Sequence, residues 1–233
     1  MATEIDGQIE ELKARALECR ECELAETRTN VVFGEGNPNT PLVIIGEGPG
    51  ATEDATGRPF VGRAGKLLDE ALLANGITRN HIFICNVVKC RACLIEGGSV
   101  KNRPPRTEEV SACYHWLLQQ LEIIKPLVIL SLGAPSANII IHKDFRMTKE
   151  RGIFFPTQYA KFAIAALHPA YVLRQHGPEL DEARASLIGD IAAARRKVLE
   201  IKRELAAAKA PDPEPEPPAN TETSPAPEDL SLF

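Results

Sequence analysis

Leu42-Val43-Ile44-Ile45 runs directly into Gly46-Glu47-Gly48-Pro49-Gly50, and these nine residues predict both a strand and the loop that follows it. A short apolar run rich in β-branched residues is typical of a buried strand, and clustered glycine and proline indicate a tight loop. Because glycine has no side chain, such a loop lets the backbone pass close to a flat ligand. The segment therefore predicts a binding pocket at the end of a strand.

A second glycine-containing segment follows shortly after, Gly57-Arg58-Pro59-Phe60-Val61-Gly62. Aromatic residues make up only 5% of the chain, so Phe60 is a notable aromatic face beside the loop. Together the two segments predict a pocket for a planar ring.

Strand and helix patterns alternate along the chain, which predicts an α/β fold: a three-layer α/β/α sandwich with a mostly parallel central sheet of about four strands. Helices are predicted at 5–18, 64–74, from Thr107 onwards, at 135–141 and at 178–207, and strands at 42–46, 82–87, 127–132 and 162–167. In such sheets ligands bind at the carboxyl ends of the strands. Gly46, Asn86 and His168 all fall at those ends, so we expect them to share one cleft.

Four segments, in this order and at these separations, resemble the motifs of family-4 (iron–sulfur) uracil-DNA glycosylases. They are the two glycine segments, Asn86-Val87-Val88-Lys89-Cys90, and His168-Pro169-Ala170-Tyr171-Val172-Leu173-Arg174. The resemblance runs from about Cys19 to the long helix after Gly177. It implies a uracil-DNA glycosylase-like fold and a monofunctional enzyme of base excision repair. Such an enzyme flips deoxyuridine out of DNA, hydrolyses its N-glycosidic bond and leaves an abasic site.

The resemblance also implies roles for site residues. Phe60 would stack on the flipped ring, with Gly46 and Gly48 forming the wall of the pocket. Asn86 would pair with uracil O4 and N3, which separates uracil from cytosine. His168 would donate to uracil O2, where negative charge collects. Glu47 would order the attacking water or stabilise the sugar cation, and each of these residues also has an ordinary structural interpretation.

One position departs from the family pattern. Many relatives carry an acid directly after the glycine loop, where this chain has Ala51. If that acid holds the water, this protein would be slower or would use Glu47 or Glu53 instead.

The chain has six cysteines. The N-terminus lacks a signal segment and no run approaches the roughly 20 apolar residues of a membrane span, so we expect a cytoplasmic protein, in which cysteines favour metal binding or catalysis over disulfides. The resemblance implies a [4Fe–4S] cluster held by Cys19, Cys22, Cys90 and Cys113. Alternatively, the two pairs Cys19-x-x-Cys22 and Cys90-x-x-Cys93 would together form a four-cysteine zinc site. Cys85, within an apolar run, is expected to be a small buried residue.

The formal net charge of −5 is unevenly distributed. Residues 210–233 hold six acids and no base, so residues 1–209 carry 27 bases against 26 acids. A near-neutral body can still bind DNA if its bases share one face. We expect the DNA-binding face to include these bases: Lys89, Arg91, Lys101, Arg103 and Arg106. We also expect Val172 and Leu173, beside Arg174, to form an apolar wedge that enters the minor groove of DNA.

Residues 209–233 are predicted to be a disordered tail after a glycosylase domain of residues 1–208, because proline alternates with acidic residues there. The tail ends in Asp229-Leu230-Ser231-Leu232-Phe233, which resembles the peptide by which bacterial repair proteins dock on the DNA sliding clamp. We therefore expect single- or double-stranded uracil-containing DNA and a sliding clamp as partners. No sequence feature requires an oligomer, so we expect a monomer.

Three other functions fit part of the pattern. Gly46-x-Gly48-x-x-Ala51 mimics a dinucleotide loop, but Pro49 lies inside it and the expected acid would be Asp69 in mid-helix. A non-catalytic or altered-specificity DNA-binding relative with a structural metal site is the second. The third is a relative that cross-links covalently to uracil-containing DNA, which would use a histidine in the long loop between Cys90 and Cys113. That loop has no histidine, so ordinary turnover is expected.

Overall fold

A computed structural model describes residues 3–208, and its centre is a five-stranded sheet. The strands in chain order are β1 Glu35–Gly36, β2 Leu42–Gly46, β3 Phe83–Asn86, β4 Cys93–Glu96, β5 Ser99–Asn102, β6 Val128–Leu132 and β7 Phe162–Ala166. The central sheet has the order β1-β3-β2-β6-β7, whereas β4 and β5 form a separate hairpin. Strands β2, β3, β6 and β7 are parallel, and β1 pairs with β3 in the antiparallel sense.

The strand register sets the position of the predicted cleft. Gly46 at the end of β2 is paired with Asn86 at the end of β3, and β7 ends two residues before His168. The carboxyl ends of these parallel strands therefore lie at one edge of the sheet. The predicted α/β sandwich is confirmed, and its sheet gains β1, which is too short to show a periodicity in the sequence.

Helices cover both faces of this sheet. In chain order they are α1 Glu4–Leu17, α2 Leu24–Thr27, α3 Ala51–Thr56, α4 Arg63–Leu73, α5 Thr107–Ile124, α6 Ala134–Ile140, α7 Met147–Glu150, α8 Pro169–Val172 and α9 Gly177–Ala207. None of the helices in residues 3–208 has both the length and the apolar content that a membrane crossing requires.

The core has two layers because successive residues of a strand point to opposite faces. Leu42 and Ile44 of β2 pack into one cluster with residues of α4, α8 and α9. Val43 and Ile45 pack into another with residues of α1 and α5. Because both faces are covered, all of β2 is buried, which explains the continuous apolar run in the sequence.

The long predicted elements lie within about one residue of their expected positions, but several short ones were missed. The hairpin β4–β5 is the main example: Gly97 and Gly98 both have positive φ, as a two-residue type I′ turn requires. The Gly-Gly pair, which lies between two short runs that each contain apolar residues, is the signal in the sequence that marks this hairpin. The predicted tail, 209–233, lies outside the described residues.

Candidate active site

A cavity of about 440 Å³ opens at the carboxyl edge of the sheet. Residues from five separate parts of the chain line it: the glycine loop after β2 with the start of α3, the segment leading into α4, the end of β3, the chain that flanks the hairpin β4–β5, and the segment leading into α8. Its lining includes Glu47, Gly48, Phe60, Asn86 and His168. The size suits one base-sized ligand with its sugar. The three strand-end segments predicted to share a cleft do so.

Asn86 is buried at the end of β3, with 1% of its surface exposed. Its Oδ1 is buried and accepts no hydrogen bond within the part of the chain that the structure describes. Buried polar atoms nearly always have partners, so an orphaned amide oxygen at a cavity wall indicates a site for a ligand donor. A Cβ added at Gly46 would collide with this same oxygen and with the ring of Phe60. Glycine is therefore required where the wall meets both groups.

Phe60 adopts a strained backbone conformation, with a φ of 53°. Arg79 donates hydrogen bonds to the carbonyl oxygens of Pro59 and Phe60, and Glu35 and Asp69 form ion pairs with the same guanidinium. Gly65 of α4 also approaches the Phe60 backbone so closely that a side chain there would overlap it. These contacts hold an unfavourable conformation in place, as often occurs at binding sites. The Phe60 ring centroid lies 6.0 Å from that of His168.

His168 caps the N-terminus of α8. Its Nδ1 accepts the backbone N–H of Ala170 at 3.1 Å, so in the neutral ring the proton resides on Nε2. Burial, helped by the positive charge of Arg174, lowers the pKa of His168 to about 4. At neutral pH this side chain is therefore an uncharged imidazole with one N–H donor left for a ligand.

The two carboxylates of the site have different surroundings. Burial raises the pKa of Glu47, with no compensating partner among the described residues. Glu53 instead accepts the backbone N–H groups of Val61 at 2.9 Å and Gly62 at 2.8 Å. Glu53 thus ties α3 to the segment that carries Phe60 through one of its two carboxylate oxygens, and it also lines the cavity. Ala51 itself begins α3 and is exposed.

A second, small cavity is lined by Cys19, Cys22, Cys90 and Cys113. Three of the thiols accept N–H hydrogen bonds: Cys19 from Trp116 at 3.3 Å, Cys90 from Arg28 at 3.4 Å, and Cys113 from the backbone of residue 89 at 3.2 Å. Burial raises the pKa of Cys113 to about 12. N–H donors directed at cysteine sulfur are a feature of iron–sulfur sites, so the donor set fits such a cluster.

The other two cysteines lie elsewhere. Cys93 is on β4 and outside the lining of this cavity, and Cys85 is fully buried in β3, as expected. Among residues 3–208, no group of three or more His, Cys, Asp or Glu side chains is placed to hold a metal ion. The shared cavity of four thiols is therefore the observation that bears on a cofactor.

Sequence comparisons agree with the geometry of the site. A family model described as the uracil DNA glycosylase superfamily matches residues 33–192. A type-4 uracil-DNA glycosylase of Thermotoga maritima is 47% identical over 173 residues, covering 74% of this chain and 86% of that protein. Type-4 enzymes of Pyrobaculum aerophilum and Archaeoglobus fulgidus are 42% and 39% identical, covering 67% and 75% of this chain and 80% and 86% of those proteins. The chain belongs to the type-4 uracil-DNA glycosylase family. This assignment replaces the oxidoreductase alternative.

Within this family framework, Lys89 was wrongly predicted to contact DNA. Its side chain is buried, with 1% of its surface exposed, and Nζ donates to the Asn86 carbonyl at 2.7 Å and to Gln120 Oε1 at 2.6 Å. The residue points inward because β3 continues as buried chain beyond Asn86. Lys89 thus connects the end of β3 to helix α5 and cannot reach a phosphate.

The predicted wedge also needs correction. Val172, the last residue of α8, is fully buried and packs into the core, so it cannot enter a DNA groove. Leu173 is half-buried against the same core. Tyr171 and Arg174 are the exposed side chains of this segment, and the Arg174 guanidinium lies 6.0 Å from the centroid of the Tyr171 ring.

Three arginines of the predicted basic cluster bind other residues of the protein. Arg103 forms an ion pair with buried Glu109, so it anchors the segment between β5 and α5 while lining the cavity. Arg106 is exposed and pairs with Glu23, and Arg91 donates to Asn102 Oδ1 at 2.7 Å. Arg79, which holds Phe60, is a functional residue that the sequence does not reveal, because an arginine in a short connection gives no local signal of that contact.

Proposed function

We propose that this protein releases uracil from DNA by hydrolysing the N-glycosidic bond of deoxyuridine, and that it leaves an abasic site for base excision repair. Its type-4 relatives are named for uracil-DNA glycosylase activity. The observation that carries the proposal is the pocket in which Asn86, Phe60 and His168 face one base-sized space. Their chemistry matches the recognition of a flipped base by stacking and by its pairing edge.

Asn86 reads the base in this proposal. Its orphaned Oδ1 accepts from uracil N3–H, and the amide nitrogen donates to O4. Cytosine presents an unprotonated N3 and an amino group at these positions, so it would face acceptor against acceptor and donor against donor. Phe60 stacks on the ring, and the glycine wall admits the base without a steric clash.

His168 stabilises the leaving group. The bond between uracil N1 and the sugar C1′ breaks with its electron pair going to the base, so negative charge develops on O2. The Nε2–H of a neutral His168 donates to this oxygen without losing its proton. A group that is uncharged before the reaction needs no counterion in the empty pocket.

Glu47 acts at the sugar. Its carboxylate faces the pocket from the glycine loop, with no partner among the described residues to neutralise it. There it orders the water that attacks C1′ or stabilises the cationic sugar. Because position 51 is alanine, Glu47 is the acid we assign to this step.

We further propose that Cys19, Cys22, Cys90 and Cys113 hold a [4Fe–4S] cluster. Their common cavity and the three N–H donors around the sulfurs support this set over one that includes Cys93. The cluster would join the segment after α1 to the chain that follows β3 and to α5. Its contribution is structural: it fixes the chain beside the pocket.

We propose that the C-terminal peptide Asp229–Phe233 binds the DNA sliding clamp. We also propose that the protein is a monomer. The linker of about 20 residues, at up to ~3.1 Å each, would reach about 60 Å. Deletion of Leu230–Phe233 should abolish clamp binding while uracil release is unchanged. Equal clamp affinity of the full and shortened chains would contradict the proposal.

The deciding experiment uses an end-labelled oligonucleotide with a single uracil, incubated with the protein, treated with alkali and run on a denaturing gel. We expect strand scission at the uracil and none at a cytosine control. An uncut strand in a denaturant-resistant slow band would indicate covalent cross-linking instead. An uncut, unshifted strand would mean that the protein acts on another lesion or only binds DNA.

A further inference from the structure

The hairpin β4–β5 carries apolar side chains that nothing in residues 3–208 covers. Ile95 is 61% exposed and Val100 47% exposed, although both occupy strands. They are directly paired across the hairpin, so they lie on the same face. A single exposed aliphatic residue is ordinary, but a cross-strand pair at the tip of an arm is a small contiguous apolar surface.

This apolar pair is continuous with the active-site cavity. On the same face of the hairpin, two residues closer to its base, Cys93 is paired with Asn102, and Asn102 lines the cavity. Two residues of strand span roughly 7 Å, which is about two stacked nucleotides along a DNA strand. The apolar pair therefore lies about two nucleotide spacings from a residue of the cavity lining, within reach of the bases next to a nucleotide held there.

The charge of the arm suits DNA. Residues 91–106 contain four bases against one acid, Glu96. Arg103 and Arg106 form ion pairs with Glu109 and Glu23, so Arg91 and Lys101 are the two bases of this segment without a carboxylate partner among the described residues. Glu96 and Lys101 lie on the opposite face with Leu94, which is 44% exposed, so the two strands of the hairpin place no charged side chain on the face of Ile95 and Val100. Bases near phosphates and aliphatic side chains near unstacked bases form the combination that proteins use to wedge DNA open.

We propose that the hairpin is a DNA-contacting arm whose Ile95–Val100 face packs against the bases next to the flipped nucleotide and stabilises their unstacked state. This proposal rests on the proposed function, because it takes the cavity to hold a flipped deoxyuridine. It also supplies the apolar wedge that Val172 cannot provide, from a different part of the chain.

The test uses DNA with 2′-fluoro-2′-deoxyuridine, whose glycosidic bond resists hydrolysis, beside the fluorescent base 2-aminopurine. Wild-type protein should raise the fluorescence on binding, since 2-aminopurine brightens when it unstacks. The double variant Ile95→Thr/Val100→Thr keeps β-branched side chains suited to strands while reducing apolar surface. It should lose most of the rise and bind about tenfold more weakly. Leu94→Thr, on the opposite face, is the matched control and should behave as wild type.

A second substrate separates the arm from the chemistry. A single deoxyuridine nucleotide flanked only by phosphates has no neighbouring bases, so wild type and double variant should cleave it equally. If wild type cleaves no uracil substrate, the proposed function fails, while the fluorescence experiment still reports on the arm. An unchanged fluorescence rise in the double variant, or an equal loss in Leu94→Thr, would overturn the proposal.

Discussion

His168 depends on its surroundings for the form in which it acts. Burial and Arg174 lower its pKa to about 4, while the Ala170 N–H engages Nδ1. The imidazole is therefore an uncharged Nε2–H donor throughout the neutral range. A protonated ring would also donate from Nε2, but it would have to give up the Ala170 hydrogen bond and carry a charge in a buried position.

His168→Ala should lower kcat for uracil release about 100-fold, the effect typical of removing one donor to a developing anion. Uracil release is measured in single-turnover assays.

The stability of the protein provides an independent check on the pKa of His168. Between pH 4 and 6.5 the unfolded chain binds a proton at this position that the folded chain does not, so the free energy of unfolding should rise with pH in that window. His168→Gln should flatten this rise, and an unchanged slope in urea titrations would contradict the lowered pKa.

Glu47 and Glu53 form a matched pair of carboxylates with different expected effects. Glu47→Gln should reduce kcat strongly with little change in melting temperature, because Glu47 has no structural partner among residues 3–208. Glu53→Gln should instead lower the melting temperature, since it weakens the bonds to the Val61 and Gly62 amides. In wild type, the rate should fall at acid pH as the raised pKa of Glu47 is crossed, and this fall should be absent from the residual activity of Glu47→Gln. A reversal of the two effects would exchange the roles.

At the level of elements, the end of β3 is held by a buried lysine. Lys89 donates to the Asn86 carbonyl and to Gln120, while Gln120 in turn donates to the Phe33 carbonyl at 2.9 Å. This chain of bonds joins β3 to α5 and to the segment before β1. It sets the position of the backbone from which Asn86 reaches the pocket.

Lys89→Met should lower the free energy of unfolding by about 1–3 kcal/mol, because it leaves two buried acceptors without a donor. Urea denaturation measures this loss. Lys101→Met, at an exposed position on β5, is the control and should change stability little. If Lys89→Met were as stable as the control but weaker in DNA binding, the original view of Lys89 as a phosphate contact would be restored.

The end of β2 sets the shape of the pocket. Gly46→Ala should abolish uracil release, because the added methyl group collides with Asn86 Oδ1 and the Phe60 ring. Gly189→Ala in α9 is the control, because a Cβ at this position meets nothing within 4 Å. Alanine is a better helix former than glycine, so this variant should raise the free energy of unfolding of the protein by up to about 1 kcal/mol. Normal kinetics in Gly46→Ala would mean that the base does not bind against this wall.

At the level of the whole molecule, the four-cysteine cavity connects segments that are far apart in the sequence. Cys19 and Cys22 follow α1, Cys90 follows β3, and Cys113 lies in α5. Helix α1 already packs on α5 through buried residues such as Leu12 and Leu117. A cluster in this cavity would add a covalent connection across the same interface.

Cys113→Ser should reduce the iron content and the absorbance of the purified protein, whereas Cys93→Ser should keep both. Hydrogen exchange should become faster in residues 18–31 of Cys113→Ser, because that segment has few other buried contacts. Iron analysis and exchange mass spectrometry measure the two effects. Loss of metal in Cys93→Ser, with zinc in place of iron, would support the alternative site.

The sequence by itself determined the order of the elements, the buried parallel strands and the place of the cleft. These depend on local patterns. The apolar run of β2 and the glycines after it, nine residues in all, predict a buried strand followed by a loop. Only the tertiary structure decided which way individual side chains of the motifs point. Lys89 and Val172 turned inward and Arg79 became the support of Phe60, because burial and partner choice depend on elements packed from distant parts of the chain.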